Sequence, residues 1–305
     1  MTPSITTPRR TLQAIPGTWG KSKKLALSMT SSRRAIKGLG NVVLVLMLLW
    51  TAIPFYWMIA TSLKHDKEIY GYEATLIPQQ PTLDNYVTVF RETPYLLFMR
   101  NSIVVAVSST VLSMFIACLG AYAIARLNFP GRAFLARSLV FTYLVPTSLL
   151  FIPMFALMSA LRLTDSLHGL TIAYLGFDVP FCTWLLMGYF KSVPVELEEA
   201  ALVDGCNRVT ALVRVVLPLA LPALVVVTFF SFTHAWNEFL YAHVFTSTNS
   251  ARTVTTGLAN FMSQDVFFWG PLMASTIMSA LPPVLMFLVL QRWVVQGLTL
   301  GGVKG

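Results

Sequence analysis

The chain has 305 residues, of which 55% are hydrophobic and only 11% are charged. Soluble domains usually carry about a quarter charged residues, so this composition argues against an ordinary soluble enzyme and favours a protein that lies mainly in lipid. Lys and Arg outnumber Asp and Glu by 22 to 13, which gives a formal net charge of +9.

The basic residues are concentrated before the first long apolar run, where no acidic residue accompanies them. The eight residues are Arg9, Arg10, Lys21, Lys23, Lys24, Arg33, Arg34 and Lys37. A basic segment beside a membrane span is held in the cytoplasm and attracts anionic lipid. Nucleic-acid binding is the poorer interpretation, because no aromatic stacking pattern or reader motif accompanies the charge. We predict a basic cytoplasmic arm over residues 1–37, with membrane lipid and not nucleic acid as its partner.

Six windows of the chain are apolar enough, and long enough at about 20 residues or more, to cross the hydrocarbon core as helices. They are residues 38–63, 100–125, 134–161, 167–190, 217–246 and 272–295. The fifth window is long enough to extend beyond the bilayer or to be broken within it. The sequence therefore predicts an all-α membrane protein with one six-span transmembrane domain over residues 38–305.

Loop charge predicts the orientation of the spans. The loop after the second window carries Arg126 and Arg132, with Arg137 close by and no acidic residue. Residues 64–99 mix both signs of charge and contain three prolines, which favours a packed cap outside the membrane over a flexible linker. Basic loops stay inside. The prediction is a multi-pass protein of the bacterial cytoplasmic membrane with both termini in the cytoplasm.

The loop after the fourth window is the most informative part of the sequence. Residues 194–222 read PVELEEAALVDGCNRVTALVRVVLPLALP. Proline followed by glutamates suits the start of a helix, since carboxylates there complement the helix dipole. Gly205 can adopt the positive φ that ends such a helix. We predict a short cytoplasmic helix tied to two spans. An interfacial helix resting on lipid headgroups is the alternative, although such helices usually present Lys and Arg.

The motif EAALVDG at residues 199–205, followed by LPLALP at residues 217–222, closely resembles the EAA loop of ABC importer permeases. The resemblance implies the six-helix fold of type I ABC importers and a coupling helix that docks on an ATPase subunit. By resemblance the docking residues are Glu199, Ala200, Ala201, Asp204 and Gly205. An aromatic residue often occupies the family position at which Leu212 stands.

Two weaker signals resemble the carbohydrate-importer permeases of the maltose and glycerol-phosphate type. They are residues 60–90, with ATSLKHDKEIY and IPQQPTLDNYVTVF, and WNEF at residues 236–239. The resemblance implies a second permease subunit, two ATPase subunits that hold ATP and Mg²⁺, and an extracytoplasmic sugar-binding protein or lipoprotein. This chain would then bind no cofactor and catalyse no reaction itself.

Ionisable groups inside a membrane are costly and are candidates for function by default. Trp236, Asn237 and Glu238 combine an aromatic face with amide and carboxylate groups, which suits stacking on a sugar ring and bonding to its hydroxyls. The alternative is that Asn237 and Glu238 bond to neighbouring helices or hold the fifth helix at a kink. Asp178 lies between Gly176 and Pro180, where a helix could break, and we expect no direct contact with a solute there.

Other classes of function fit less well. His234 and His243 are not spaced to face one metal ion, and three scattered cysteines make neither a zinc site nor a disulfide framework. An intramembrane enzyme would need a nucleophile–base pair or a metal cluster. An ion-coupled secondary transporter would need paired broken helices and internal repeats. ABC permeases for amino acids, peptides or phosphate share the EAA loop and remain an alternative to a sugar permease.

Overall fold

The computed structural model describes residues 19–262 and 268–302 and contains no β-strand within those ranges. A π-helical turn spans Leu212–Val216 and a 3₁₀ turn spans Asn260–Met262. The α-helices are α1 (Trp19–Ser62), α2 (Asp66–Ile69), α3 (Asp84–Glu92), α4 (Tyr95–Arg126), α5 (Arg132–Leu144), α6 (Thr147–Ala160), α7 (Leu167–Ser192), α8 (Val195–Val203), α9 (Arg208–Ala211), α10 (Leu217–Leu219), α11 (Leu221–Asn237), α12 (Leu240–Phe245), α13 (Val254–Ala259) and α14 (Trp269–Gly302).

Among the described residues, four helices are individually long and apolar enough to cross a membrane, and they lie within α1, α4, α7 and α14. Two further segments pass the same test as bent pairs of helices. The pairs are Arg132–Thr142 with Thr147–Ala160, and Arg208–Leu219 with Leu221–Asn237. Counting each bent pair as one crossing gives six spans, at the six places where the sequence predicts them.

The third predicted span is not one straight helix. Its two halves meet at an angle of 104°. Pro146 stands at the break, and Val145 before it is extended, with φ −82° and ψ 119°. A proline disfavours the α conformation in the residue that precedes it, which explains why the helix stops there.

The first helix begins earlier than predicted, at Trp19, and so includes part of the predicted basic arm. Residues 1–18 of that arm lie outside the described residues. The most apolar 18 residues of α1 have a mean hydropathy of 2.2, and none of these residues is buried within the chain. Such a surface needs lipid or another membrane subunit to cover it. The part of α1 up to Trp57 forms one compact unit and the chain from Met58 onward forms another.

The second unit is built around α4, which packs along α7, while α11 packs against α4, α7 and α14. Its buried apolar side chains form two clusters. The first includes the N-terminal half of α4, with Phe98 and Val105, and the N-terminal part of α7, with Tyr174. The second includes the C-terminal half of α4 and of α7, with Ala121 and Phe190.

Residues 64–99 pack against the helices, as predicted for a cap. Asn85 is buried and its Nδ2 donates to the carbonyl oxygens of Ser62 at 2.9 Å and Lys64 at 2.8 Å. The hydroxyl groups of Tyr86 and Ser62 lie 2.9 Å apart. Gly270, in the first turn of α14, lies so close that an added Cβ would be 2.2 Å from Asn85 Oδ1. This segment is therefore anchored to two helices.

Asp165 fastens the turn between α6 and α7 to the segment that follows α12. Its Oδ1 accepts hydrogen bonds from the backbone N–H groups of Ser247 and Thr248, both at 2.9 Å, and its Oδ2 accepts one from Thr248 Oγ1 at 2.8 Å. These bonds, chiefly that from the Thr248 N–H, lower the pKa of the Asp165 carboxyl below its ordinary value. Charged acceptors form the stronger class of hydrogen bonds.

This geometry predicts an acid-dependent contribution of Asp165 to stability. Because the folded-state pKa is lowered, the contribution is present above the unfolded-state pKa of about 4 and is lost as pH falls through the folded-state value. We expect Asp165→Asn to lower the Tm of the detergent-purified protein at pH 7 and to reduce the fall in Tm between pH 5 and pH 3. Glu92→Gln, at an exposed position of α3, is the control. Equal acid dependence in Asp165→Asn and wild type would contradict the assignment.

Candidate functional site

The predicted coupling helix is α8, and its C-terminal end has a defined stop. Gly205 has φ +89°, as expected from the sequence. The Cys206 N–H donates to the Ala201 carbonyl at 3.0 Å, and the Gly205 N–H donates to the Leu202 carbonyl at 3.1 Å. This pair of bonds is the Schellman motif, which requires a left-handed residue at the position of Gly205. Local sequence alone therefore fixes where α8 ends.

The residues assigned to docking by resemblance lie on the outer face and at the end of α8. Glu199, Ala200, Asp204 and Gly205 are exposed, and Ala201 is half-buried. We call these five residues the α8 knob.

Glu198 lies on the inner face of α8 and is buried, with 3% of its surface exposed. Its Oε1 accepts a hydrogen bond from the Tyr122 hydroxyl. Its Oε2 lies 3.2 Å from Arg126 Nε in an ion pair. Arg208 Nη1 approaches Glu198 Oε1 to 3.8 Å from the other side. One carboxylate therefore connects α8 to the C-terminal end of α4 and to α9.

Arg126 reinforces this connection, because its Nη2 donates to the Val193 carbonyl at 2.6 Å, just before α8 begins. Breaking a buried ion pair by removing one partner costs about 3–5 kcal/mol, since the remaining charge stays buried and unpaired. Sequence reasoning assigned Glu198, like Glu196, only to the start of the helix, and missed this role. The only signal was Arg126, an arginine at the end of an apolar span with no acidic residue near it in sequence.

The chain after the knob leads directly into the membrane-length helices. Asn207 caps α9, with its side chain accepting from the Thr210 N–H at 2.8 Å. From α9 the chain continues through the π turn and α10, and then bends by 83° into α11. Leu212 and Val216 of the π turn are buried in the second apolar cluster. Displacement of α8 would therefore act on both α4 and α11.

The predicted substrate-path residues divide into buried and exposed positions. Trp236 is buried; its Nε1 donates to the Ser279 carbonyl at 3.1 Å, and its ring stacks on Phe232 at 5.6 Å between centroids. Asn237 is exposed at the end of α11. These contacts give Trp236 a packing role between α11 and α14, and its predicted contact with a solute stays a prediction.

Glu238 holds the break between α11 and α12. Its carboxylate accepts from the backbone N–H groups of Tyr241 at 2.9 Å and Ala242 at 3.0 Å, and from the Tyr174 hydroxyl at 2.9 Å. A carboxylate on the free N–H groups of a helix start is stabilised by bonding and by the dipole. The alternative interpretation from sequence, that Glu238 stabilises a kink and bonds to a neighbouring helix, is the one this geometry matches.

Asp178 is buried within α7, which runs unbroken from Leu167 to Ser192 with Pro180 inside it. The helix break that Gly176 and Pro180 would allow near Asp178 is not found. His234 Nδ1 lies 2.9 Å from Asp178 Oδ1. Among the described residues, no three His, Cys, Asp or Glu side chains are grouped as metal ligands would be.

Comparison with known proteins places the chain in a family. Residues 109–300 match the model of the binding-protein-dependent transport system inner membrane component. An inner membrane ABC transporter permease protein of Escherichia coli, YcjP, is 38% identical over 91% of this chain and all of its own length. SmoH of Agrobacterium fabrum, a sulfoquinovosyl glycerol transport system permease protein, is 38% identical over 83% of this chain and 88% of its own. MalG of Thermococcus litoralis, a trehalose/maltose transport system permease protein, is 35% identical over 86% and 94%.

The crystal structure of a bacterial ABC transporter involved in importing the acidic polysaccharide alginate shares the fold. One of its chains matches with a TM-score of 0.75 and 23% identity over 86% of this chain and 98% of that one. The predicted all-helical fold of an importer permease is thus confirmed. The chain belongs to the family of binding-protein-dependent transport system inner membrane components, and it is a permease subunit of an ATP-binding-cassette importer.

Proposed function

We propose that this permease pairs with a second permease subunit to form the translocation path of a sugar or sugar derivative, and that two separate ATPase subunits drive it through the α8 knob. The coupling role is supported by one observation, namely that α8 is anchored on one face and exposed on the other. Its inner face is anchored to α4 by the buried Glu198, while its outer face presents Glu199 and Ala200 to the surroundings. A rigid element bound on both sides can transmit movement between a soluble motor and the membrane helices.

The sugar assignment is supported by the relatives. Permeases named for sulfoquinovosyl glycerol and for trehalose and maltose align with most of this chain. The residues 60–90 and 236–239 resemble the carbohydrate group independently of the coupling loop. The importer would receive its solute from an extracytoplasmic binding protein or lipoprotein, in line with the description of the family.

In this proposal the chain is not an enzyme. ATP and Mg²⁺ are bound and ATP is hydrolysed in the partner subunits, while this chain supplies a gated path whose affinity for the solute differs between two states. The subunit lies in the bacterial inner membrane with both termini, the basic arm and the α8 knob in the cytoplasm. Arg126 and Arg132, at the base of α4 and the start of α5, fit that side by their charge.

If the ATPase docks on the α8 knob, two substitutions in the knob should weaken its binding. Gly205→Val places a β-branched residue at φ +89°, which costs about 1–3 kcal/mol, and Glu199→Lys reverses a charge on the exposed face. We expect each to reduce co-purification of the ATPase with the membrane subunits at least about tenfold. Quantitative mass spectrometry of the affinity-purified complex measures the ratio of ATPase to permease.

The matched control for Gly205→Val is Gly188→Ala. Gly188 lies inside α7 with no heavy atom within 4 Å of an added Cβ and has no positive φ. We expect this control to retain the ATPase, and recovery of the second permease in every sample shows that the membrane part still assembles. Wild-type ATPase recovery with both knob variants would contradict docking through α8.

The sugar assignment predicts which solutes the cell takes up through this chain. In cells of the native host, deletion of the gene is expected to abolish ATP-dependent uptake of at least one radiolabelled sugar from a panel of trehalose, maltose and sulfoquinovosyl glycerol. Uptake of an amino acid and of phosphate should not change. A protonophore that collapses the ion gradient distinguishes the two energy sources. Uptake driven by ATP persists in its presence, whereas ion-coupled uptake stops. Loss of amino-acid or phosphate uptake alone would contradict the sugar assignment.

A further inference from the structure

A cavity of about 600 Å³ lies beside the bend between α5 and α6, with α7 and α11 forming its other walls. Small-molecule sites typically measure about 300–1,000 Å³ and are lined by apolar and aromatic groups with a few polar ones. Three aromatic rings line this cavity, from Phe177, Phe181 and Phe230. Asp178 and His234 are its ionisable groups among the lining residues. The size and the lining both match a site for a small solute.

The two ionisable groups are held in a fixed arrangement. Asp178 is 3% exposed, and its Oδ1 lies 2.9 Å from Nδ1 of His234. The other oxygen, Oδ2, accepts a hydrogen bond from Ser231 Oγ at 3.1 Å. The side chain of His234 is 46% exposed. Because Nδ1 is occupied by the carboxylate, Nε2 is the ring nitrogen that remains for a molecule in the cavity.

The polar residues Asp178, His234 and Ser231 lie between the two apolar clusters of the core. On α7, Asp178 falls between Tyr174 of the first cluster and Cys182 of the second; on α11, Ser231 falls between Val227 of the second and Phe232 of the first. On α4 the same boundary carries Thr110 and Ser113, two buried residues whose hydroxyls lack a hydrogen-bond partner.

A buried carboxylate at the middle of membrane-length helices is expensive, and it is by default a candidate for a functional site such as a solute path. The coupling loop does not use it, because second-cluster residues such as Leu186 and Phe190 occupy α7 between Asp178 and that loop. If the pair served only to pack α7 against α11, apolar residues of similar volume would do so at a lower cost in free energy. The Asp178–His234 pair therefore calls for a role of its own.

We propose that this cavity is a sugar subsite on the translocation path, in which His234 Nε2 bonds to a hydroxyl group of the solute and the rings of Phe177, Phe181 and Phe230 cover its apolar face. Asp178 positions the imidazole and does not contact the solute. The subsite rests on the proposed sugar-import function. It assigns solute contact to α7 and α11 through residues other than Trp236 and Glu238.

The first test measures occupancy by protection from alkylation. The assembled importer, with all partner subunits, carries His234→Cys in a background with Cys118, Cys182 and Cys206 replaced by alanine. N-ethylmaleimide is the probe, and its reaction rate is measured with and without the sugar that wild type transports. We expect the transported sugar to slow alkylation and a sugar that is not transported to have no effect. Phe181→Cys is a second reporter if the first variant does not assemble.

The matched control is His243→Cys in the same background. His243 is exposed on α12, where its ring stacks on Phe239 at 5.2 Å, and it does not line the cavity. Its alkylation should be insensitive to sugar. The uptake rate provides the second readout: His234→Ala should lower it about tenfold, as expected for the loss of one solute hydrogen bond, and His243→Ala should leave it within about twofold.

The outcomes separate the subsite from the proposed function. If wild type imports a sugar but that sugar protects neither reporter and His234→Ala transports normally, the subsite is wrong and the sugar importer stands. If wild type imports no sugar of the panel, the proposed function and the subsite both fall. Protection at His234 and Phe181, with none at His243, supports the subsite.

Discussion

The architecture around α8 depends on one buried carboxylate. Glu198 is placed between Arg126 at the end of α4, Tyr122 one turn earlier and Arg208 at the start of α9. Removing water from charges is expensive, so such a pair contributes only while both partners are present and correctly placed. That requirement makes the position of α8 relative to α4 specific. A short helix of nine residues would otherwise be marginal, because isolated helices of that length are unstable in water.

From this anchor, the chain runs through a series of short helices into α11. The α8 knob is joined to α9 by a short turn, and α9, the π turn and α10 lead to the 83° bend before α11. α11 packs against α4, α7 and α14, so its movement must be accommodated by all three. At its far end, Glu238 fixes the start of α12, and Thr255 Oγ1 donates to the Glu238 carbonyl at 2.9 Å. This series of helices thus ends at the break between α11 and α12, which Glu238 stabilises.

Much of this could be predicted from the sequence, and the reason is that the signals are local. Apolar length identifies the spans, and the glycine at position 205 identifies the end of α8 because few other residues tolerate its φ. The anchor was not predictable, since Glu196, Glu198 and Glu199 differ only by rotation around one helix. Which of them is buried depends on Arg126, far away along the chain. Pro146 indicates a break in the third span, but the length of the apolar window alone does not show it.

The pairing of Asp178 with His234 was beyond sequence reasoning for the same physical cause. Both residues look like isolated polar groups in apolar helices, and only the packing of α11 on α7 brings them together. Proline at position 180 is a misleading signal, because a helix whose neighbours satisfy its backbone groups tolerates proline within the membrane. Long-range packing, and not local propensity, decides where buried charges meet.

The most direct test of the account is a double-mutant cycle on the anchor. Glu198→Gln, Arg126→Gln and the double variant are reconstituted as complete importers in proteoliposomes, and the number of solute molecules transported per ATP hydrolysed is measured. If the pair acts as one unit, each single variant lowers this ratio, and the double variant is no worse than the more affected single one. If instead the two losses multiply, as for independent sites, Glu198 and Arg126 do not form the connection through which α8 drives transport.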